Sequence, residues 1–150
     1  MAIKHVGVNE AYELKTRESY TYVDVRSMPE YEQAHAAGAV NVPLLHRDPR
    51  TGEMVPNPDF LAVIKANFPT DAKLLVACQA GGRSLRAAQL LDAQGYQNIV
   101  NVKGGFGGAM DPRTGAVVER GWCDAQLPFE TTAASGASYA DLLAKTKQAR

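Results

Sequence analysis

The sequence predicts an α/β fold, with a mainly parallel sheet of about five strands and helices on both of its faces. Short runs of aliphatic and β-branched residues alternate with segments of helical periodicity, which is the pattern of βαβ units. The run over residues 74–77 is continuously apolar, as expected of a strand that is covered on both faces. The predicted strands cover residues 3–8, 20–24, 39–42, 74–77 and 99–102.

Helices are expected between these strands because each gap contains a start or stop signal. Asn9 can cap the first helix, and Pro29 suits the first turn of the second. Ser138 with Asp141 matches a capping box ahead of a terminal helix. The expected helices run from Glu10 to about Lys15, from Pro29 to His35, over about 59–67, from Ser84 to Gly95, and onward from Ser138.

The chain reads as one domain with an appendage. Residues 1–130 form the predicted domain, which includes a glycine-rich insert at about 107–121. Residues 131–150 are read as a linker and a C-terminal helix, which either docks on the core or pairs with another subunit, so a monomer and a homodimer are both open. Segment 45–58, rich in proline, is expected to be a loop, and 111–115 a turn at a hairpin tip.

Composition excludes several classes of protein. Sixteen Lys and Arg balance sixteen Asp and Glu, which argues against a general nucleic-acid binder. No run of about 18 apolar residues is present, so no membrane span is expected, and the amino terminus lacks the apolar stretch of a signal peptide. Two cysteines do not make a disulfide framework. A reducing cytoplasm is therefore the expected location.

Cys78 is the candidate nucleophile, because it stands between a buried strand and the start of a helix. Gly81 and Gly82 let the backbone curl with its N–H groups inward, and the helix terminus and Arg83 add positive charge. Such surroundings favour the nucleophilic thiolate and would hold the anionic outer sulfur of a persulfide. A cysteine at a strand end is commonly a small core residue, but core packing does not require the glycine pair and arginine that follow.

A phosphate-binding loop is the main alternative. The protein tyrosine phosphatase signature places Arg after Cys and five further residues, whereas Arg83 follows Cys78 after four, and Ser84 stands where that signature requires Arg. The shorter loop suits a single sulfur atom better than a phosphoryl group. The sequence after the loop also lacks the Gly-Lys-Ser/Thr of a nucleotide P-loop.

The cysteine loop resembles the rhodanese active-site pattern Cys-x-x-Gly-x-Arg-Ser. Three further segments resemble family motifs in the same order along roughly residues 6–110. They are Val-Asp-Val-Arg at 23–26, Ala-His-Ala-Ala-Gly-Ala-Val-Asn-Val-Pro-Leu at 34–44 and Asn-Val-Lys-Gly-Gly-Phe at 101–106. The dozen or so residues before Trp122 depart from the family pattern, and the segment beyond Thr131 has no counterpart in it.

The resemblance implies a sulfurtransferase without metal or cofactor. Cys78 would take sulfane sulfur from a small anionic donor such as thiosulfate and pass it to cyanide or to a thiol, which a protein could carry. Arg83 would stabilise the anionic donor and the persulfide, and Ser84 would cap the helix. The residues from Gln79 through Ala80 and Gly81 to Gly82 would contribute mainly backbone N–H groups. A cysteine-dependent phosphatase or arsenate reductase, and a non-catalytic sensor or interaction module, remain alternatives.

Several other residues have two readings. Asp24 and Arg26, at the end of a predicted strand, either position the loop and attract anions or form a strand-end ion pair. His35 is expected to make a structural hydrogen bond. Cys123 is expected in a core contact beside Trp122, with a role as a second thiol as the alternative. His46 and Arg47 are candidates for contact with an anionic substrate, and the histidines show no metal-ligand spacing.

Overall fold

The structure, a computed structural model, describes residues 3–148, with the side chains of the last helix described as far as Thr146. The strands are β1 (Lys4–Val6), β2 (Thr21–Asp24), β3 (His35–Ala36), β4 (Val40–Asn41), β5 (Leu45–Arg47), β6 (Met54–Pro56), β7 (Lys73–Ala77), β8 (Asn98–Val102), β9 (Ala109–Met110), β10 (Val117–Glu119) and β11 (Phe129–Glu130). The helices are α1 (Val8–Arg17), α2 (Met28–Gln33), α3 (Phe60–Asn67), α4 (Gly82–Ala93) and α5 (Tyr139–Gln148).

The central sheet has five strands in the order β1-β8-β7-β2-β4, and every neighbouring pair is parallel. This confirms the predicted fold class, and the five predicted strands lie within two residues of the observed ones. Strand β7 is in the middle, with Asp24 of β2 opposite Ala77. The carboxyl ends of the strands meet at one edge of the sheet, and this edge is where ligands bind in open α/β sheets.

Each face of the sheet is covered by its own apolar cluster. Leu74 and Val76 of β7 face α3, α4 and α5, whereas Leu75 and Ala77 face α1 and the Tyr31 side chain of α2. These four side chains have no exposed surface. The continuous apolar run therefore reflects burial on both faces, as the sequence predicted.

Helix boundaries differ from the prediction where a local cap decides them. Helix α1 begins at Val8 with Gly7 as its N-cap, so Asn9 lies inside the helix rather than capping it. Helix α2 stops at Gln33, because Ala34 is extended and His35 pairs with Glu130 in the β3–β11 ladder. Helix α4 begins at Gly82, two residues before the predicted start.

Two irregular segments contain hairpins. The prediction of a loop over 45–58 was wrong, because Leu45–Arg47 and Met54–Pro56 form an antiparallel hairpin. Its prolines lie outside β5 or at the end of β6, where a missing N–H is tolerated. The predicted hairpin tip at 111–115 is confirmed, because the Gly115 N–H donates to the Asp111 carbonyl between β9 and β10.

The C-terminal helix docks on the chain's own core. The Ser138 hydroxyl accepts from the Asp141 N–H at 3.2 Å, which is half of the predicted capping box. Tyr139 and Leu142 join the apolar cluster that contains α3 and α4, and Asn67 of α3 donates to the Leu142 carbonyl at 3.2 Å. Among residues 3–148, no helix combines the length and apolar character needed to cross a membrane.

Candidate active site

Cys78 directly follows the central strand β7, at the carboxyl edge of the sheet. Its side chain forms no disulfide and is buried, with 2% of the residue exposed. The loop from Cys78 then turns into helix α4, whose first residue is Gly82. The positive end of the α4 dipole is therefore directed toward the region of the sulfur.

The sulfur is held by contacts from its own loop. The Gly81 N–H donates to Cys78 Sγ at 3.0 Å, and the thiol points toward the Ser84 hydroxyl at 3.6 Å. Gly81 has φ +127°, which a residue with a side chain rarely adopts, so the turn that aims this N–H requires glycine. Among the described residues, Gly81 is the member of the 79–82 segment whose N–H reaches the sulfur.

Ser84 does not cap helix α4 as expected. Gly81 is the N-cap, and Ser84 is the third residue of the helix, fully buried beneath the loop. Its hydroxyl donates to the Asn101 side-chain oxygen at 2.7 Å or to the Gly81 carbonyl at 3.0 Å. The sequence placed Ser84 at the helix start, but the structure makes it a contact of the sulfur.

Arg83 is paired with a carboxylate that the sequence did not single out. Its two terminal nitrogens donate to the two oxygens of Glu30, at 2.7 and 3.0 Å. Glu30 also accepts from the N–H and hydroxyl of Ser27, which completes a capping box on α2. The Arg83 hydrogen bonds lower the pKa of Glu30 to about 2, although its partial burial acts in the opposite direction.

Asp24 and Arg26 form a buried ion pair that braces the cysteine loop. The Asp24 carboxylate accepts from Nε and Nη2 of Arg26, with the shortest distance 2.8 Å. The remaining guanidinium nitrogen donates to the side-chain oxygen of Gln79 at 3.1 Å. Burial would lower the pKa of Arg26, but Asp24 outweighs it and raises the pKa. Asp24 and Arg26 thus form the expected strand-end ion pair, and through Gln79 the same pair positions the cysteine loop.

A glycine-rich segment backs the loop from behind. The Phe106 N–H donates to the Cys78 carbonyl at 2.8 Å, and the Gly107 N–H to the Gln79 carbonyl at 2.9 Å. A methyl group added to Gly105 would overlap the Cys78 carbonyl, so only glycine allows this approach. The Phe106 ring centroid lies 4.5 Å from the Arg26 guanidinium, so this segment also packs against the Asp24–Arg26 ion pair.

The other candidate residues lie in different surroundings. His35 is buried, contacts the Tyr31 carbonyl at 2.7 Å and the Glu130 carboxylate at 3.2 Å, and so has a structural role. The structure places His46 with its ring 5.6 Å from Tyr139, and Arg47 against the Gly52 carbonyl at 2.8 Å. Both belong to the β5–β6 hairpin, and no contact of either with the cysteine loop is present among the described residues.

Cys123 lies on the surface rather than in the expected core contact, whereas its neighbour Trp122 is buried. Its N–H donates to the Phe106 carbonyl at 3.1 Å, so the backbones at Cys78 and Cys123 are separated by the Phe106 segment. Local burial of the thiol and the nearby Asp124 carboxylate raise the pKa of Cys123. Cys123 is therefore less often present as the nucleophilic thiolate than an ordinary cysteine.

Two cavities open near the sheet, of about 180 and 370 Å³. The smaller is apolar and lies between the β5–β6 hairpin and α4, with Arg86 at its rim. The residues described as lining them do not include Cys78, which matches its burial. Among residues 3–148, no cluster of three His, Cys, Asp or Glu side chains is placed to bind a metal ion.

Comparison with known proteins gives consistent matches. The family model described as Rhodanese-like domain matches residues 7–110. Thiosulfate sulfurtransferase 16, chloroplastic, of Arabidopsis thaliana is 37% identical over 101 residues, which cover 67% of this chain and 82% of that protein. Protein HIGH ARSENIC CONTENT 1, mitochondrial, of the same plant is 36% identical over 92 residues, covering 61% of this chain and 53% of that protein. The crystal structure of Rv0390 from M. tuberculosis superposes with a TM-score of 0.71 at 25% identity, covering 88% of this chain and all of that one.

Proposed function

Because the chain belongs to the rhodanese-like domain family, we propose that it is a sulfurtransferase in which Cys78 carries sulfur as a persulfide. The observation that carries the proposal is the Gly81 N–H aimed at the buried Cys78 sulfur, at the amino terminus of α4. A fixed donor in a buried site stabilises an anionic sulfur more strongly than water does. Relatives named as thiosulfate sulfurtransferases support the same class of reaction.

The reaction has two displacements at sulfur. The Cys78 thiolate attacks the outer sulfur of thiosulfate, the S–S bond of the donor breaks, and sulfite leaves with the bonding electron pair. An acceptor thiolate or cyanide then attacks the outer sulfur of the persulfide, and the Cys78 thiolate is released. In each step the nucleophile supplies the electron pair of the new bond to sulfur, and the leaving group departs with the pair of the S–S bond that breaks.

The charges around the loop define the role proposed for Arg83. Arg26 is matched by Asp24, and Arg83 by Glu30, so both guanidinium groups are already paired when no donor is bound. An anionic donor must therefore compete with Glu30 for Arg83. We expect Arg83 to steer and orient the donor at the mouth of the loop, while the Gly81 N–H stabilises the persulfide.

The decisive experiment is an intact-mass measurement after incubation with thiosulfate. Wild-type protein should gain one sulfur, about 32 Da, as a covalent intermediate requires, and should produce thiocyanate when cyanide is added. Cys78→Ser should lose both properties, whereas Cys123→Ser, the matched control, should retain both. A wild type that neither gains mass nor turns over, with its thiol shown to be reduced, would exclude the proposal.

Arsenate reduction or phosphate-ester hydrolysis is the second candidate, favoured by the name of the relative HIGH ARSENIC CONTENT 1. The loop is less suited to a phosphoryl or arsenate group, because Arg83 follows Cys78 after four residues rather than the five of the phosphatase signature. Hydrolysis of 4-nitrophenyl phosphate, or arsenate reduction with a thiol reductant in the assay, should be much slower than thiosulfate turnover. The opposite order, abolished in Cys78→Ser, would make this the preferred function.

A further inference from the structure

A series of side-chain contacts connects the Cys78 sulfur to His5 on β1, an edge strand of the sheet. Ser84 Oγ lies 3.6 Å from Cys78 Sγ and 2.7 Å from Asn101 Oδ1. On its other side, Asn101 Nδ2 lies 3.1 Å from Nδ1 of His5. Ser84 and Asn101 are buried, and His5 is exposed, so the series runs from the candidate nucleophile to solvent.

The strand register creates this connection. His5 of β1 is the direct partner of Asn101 of β8, and both side chains lie on the face of the sheet that α4 covers. Ser84 reaches Asn101 because helix α4 crosses β8 with its first turn. The residues that form the series therefore come from three elements, of which only α4 carries the cysteine-loop motif.

The series of contacts has a defined direction. A carboxamide oxygen only accepts and its nitrogen only donates, so Ser84 donates to Asn101 and Asn101 donates to His5. His5 is then neutral with its proton on Nε2, since Nδ1 accepts. The single hydroxyl hydrogen of Ser84 is used by Asn101 or by the Gly81 carbonyl, so Ser84 can only accept from the Cys78 thiol. This direction stabilises the thiol form of Cys78.

A proton on His5 reverses the direction. Protonated His5 donates from Nδ1, which would face the donating nitrogen of Asn101, and the contact is restored only when the amide turns over. Asn101 then donates to Ser84 Oγ, and the Ser84 hydroxyl hydrogen, released from Asn101, has only the Gly81 carbonyl and the sulfur as acceptors among the described residues. A hydroxyl that donates to the Cys78 sulfur stabilises the thiolate.

We propose that Asn101 and His5 are positioning residues for Cys78: the protonation state of His5 sets, through Asn101, whether Ser84 accepts from the sulfur or donates to it. The inference rests on the proposed function only in taking Cys78 as the nucleophile. Charged side chains on the helix that covers this side of the sheet include Arg83, Arg86 and Asp92 of α4, and Lys103 directly follows β8. Lys103 is paired with Glu119 at 3.5 Å, and Lys4 of β1 points to the other face, toward Glu10.

The test is the rate at which iodoacetamide alkylates Cys78, followed by intact mass in a Cys123→Ser background from about pH 5 to 9, where imidazole changes charge. Only the thiolate reacts, and no sulfur donor is needed. His5→Phe keeps the ring but cannot titrate. At about pH 6 it should lower the rate threefold or more, as loss of a hydrogen bond to a charged sulfur requires. Near pH 9 the two rates should converge.

Two further variants separate the relay from a simple charge effect. His46→Phe, the matched control, removes an imidazole outside the series and should leave the pH profile unchanged. In the Asn101→Ala background, His5→Phe should have no further effect on the alkylation rate, because the connection is already broken. If Asn101→Ala does not fold, Ser84→Ala serves as the background instead. Equal profiles for wild type and His5→Phe would overturn the proposal. So would a His5→Phe effect of the same size in the Asn101→Ala background, which would show that the charge acts through space.

The alkylation readout also separates this inference from the proposed function. A pH profile that depends on His5, without persulfide formation, would support the coupling of His5 to Cys78 and exclude the sulfurtransferase function. Persulfide formation with identical pH profiles would support the sulfurtransferase function and exclude the coupling.

Discussion

The Arg83 guanidinium holds both carboxylate oxygens of Glu30, across 53 residues of sequence, at 2.7 and 3.0 Å. The pair joins the amino terminus of α2 to the first turn of α4, which are the two helices that border the cysteine loop. It therefore couples the position of the loop to the capping box at Ser27. This relationship has a measurable consequence for stability.

Glu30→Gln should destabilise the fold at neutral pH by about 1–2 kcal/mol, allowing for the partial exposure of the pair. The pKa of Glu30 in the folded state is lowered to about 2, below its unfolded value. Its contribution is therefore fully present above the unfolded pKa of about 4.3 and is lost as pH falls toward 2. Urea unfolding of both proteins at pH 7, 4 and 3 should show a difference that shrinks with acidification. A difference independent of pH would contradict the assignment.

Asp24→Asn should destabilise the protein by about 3–5 kcal/mol, because it leaves the buried Arg26 charge without its partner. The side chains of this pair are 2% and 4% exposed. Asp48→Asn is the matched control, since its partner Arg50 is 88% exposed, and such pairs contribute less than about 1 kcal/mol. Urea unfolding measures both variants. A similar, small change in the free energy of unfolding for the two variants would mean that the Asp24–Arg26 ion pair does not stabilise the fold.

Gly105→Ala should lower thiosulfate turnover more than the same substitution in a turn elsewhere in the fold. Its new methyl group overlaps the Cys78 carbonyl, so the backbone behind the cysteine must move. We expect at least about a tenfold fall in thiosulfate turnover, as displacement of a preorganised donor implies. Gly115→Ala is the control: it has a similar positive φ of +73° but open space around it, so it should cost only about 1 kcal/mol and leave turnover unchanged. Equal turnover in the two variants would contradict the packing argument.

Leu142→Ala in α5 should cost about 2–4 kcal/mol, as for other buried leucines, because the residue is 3% exposed in the core. Leu143, next to it, is only partly buried, so Leu143→Ala should cost clearly less. Thermal unfolding monitored by circular dichroism distinguishes the two. If both substitutions were silent, α5 would not be part of the folded domain.

The sequence identifies the features that are local. The apolar run over 74–77 followed by a glycine pair is enough to place Cys78 between a central strand and a helix, since strand and helix signals are both short-range. The sequence shows a Gly-Gly pair in the motif at 101–106, but the reason for Gly105 is its contact with the cysteine loop, which depends on the order of the strands in the sheet. The prolines between 45 and 58 concealed a hairpin, because they weaken the strand pattern without preventing pairing at an edge.

The features that the sequence does not reveal are pairings between distant segments. Nothing in the pattern around Glu30 distinguishes it from the neighbouring Glu32, yet only its position on α2 brings it to Arg83. Asn101 opens the motif at 101–106 but His5 lies in no motif, and the two meet because β1 joins the sheet beside β8 in one register. The sequence places Ser84 at the helix start as a cap. Because the helix begins two residues earlier, Ser84 contacts the Cys78 sulfur instead.

The glycine-rich insert is closed at its base. The Gly108 N–H bonds to the Gly104 carbonyl at 2.7 Å and the Trp122 N–H to the Gly105 carbonyl at 2.8 Å, while the Trp122 ring is buried. Beyond this closure, the β9–β10 hairpin exposes Met110, Val117 and Val118. The hairpin thus extends from a closed base into solvent. We expect a peptide tag grafted between residues 112 and 115 to leave the cysteine loop undisturbed, because Gly115 has open space around it.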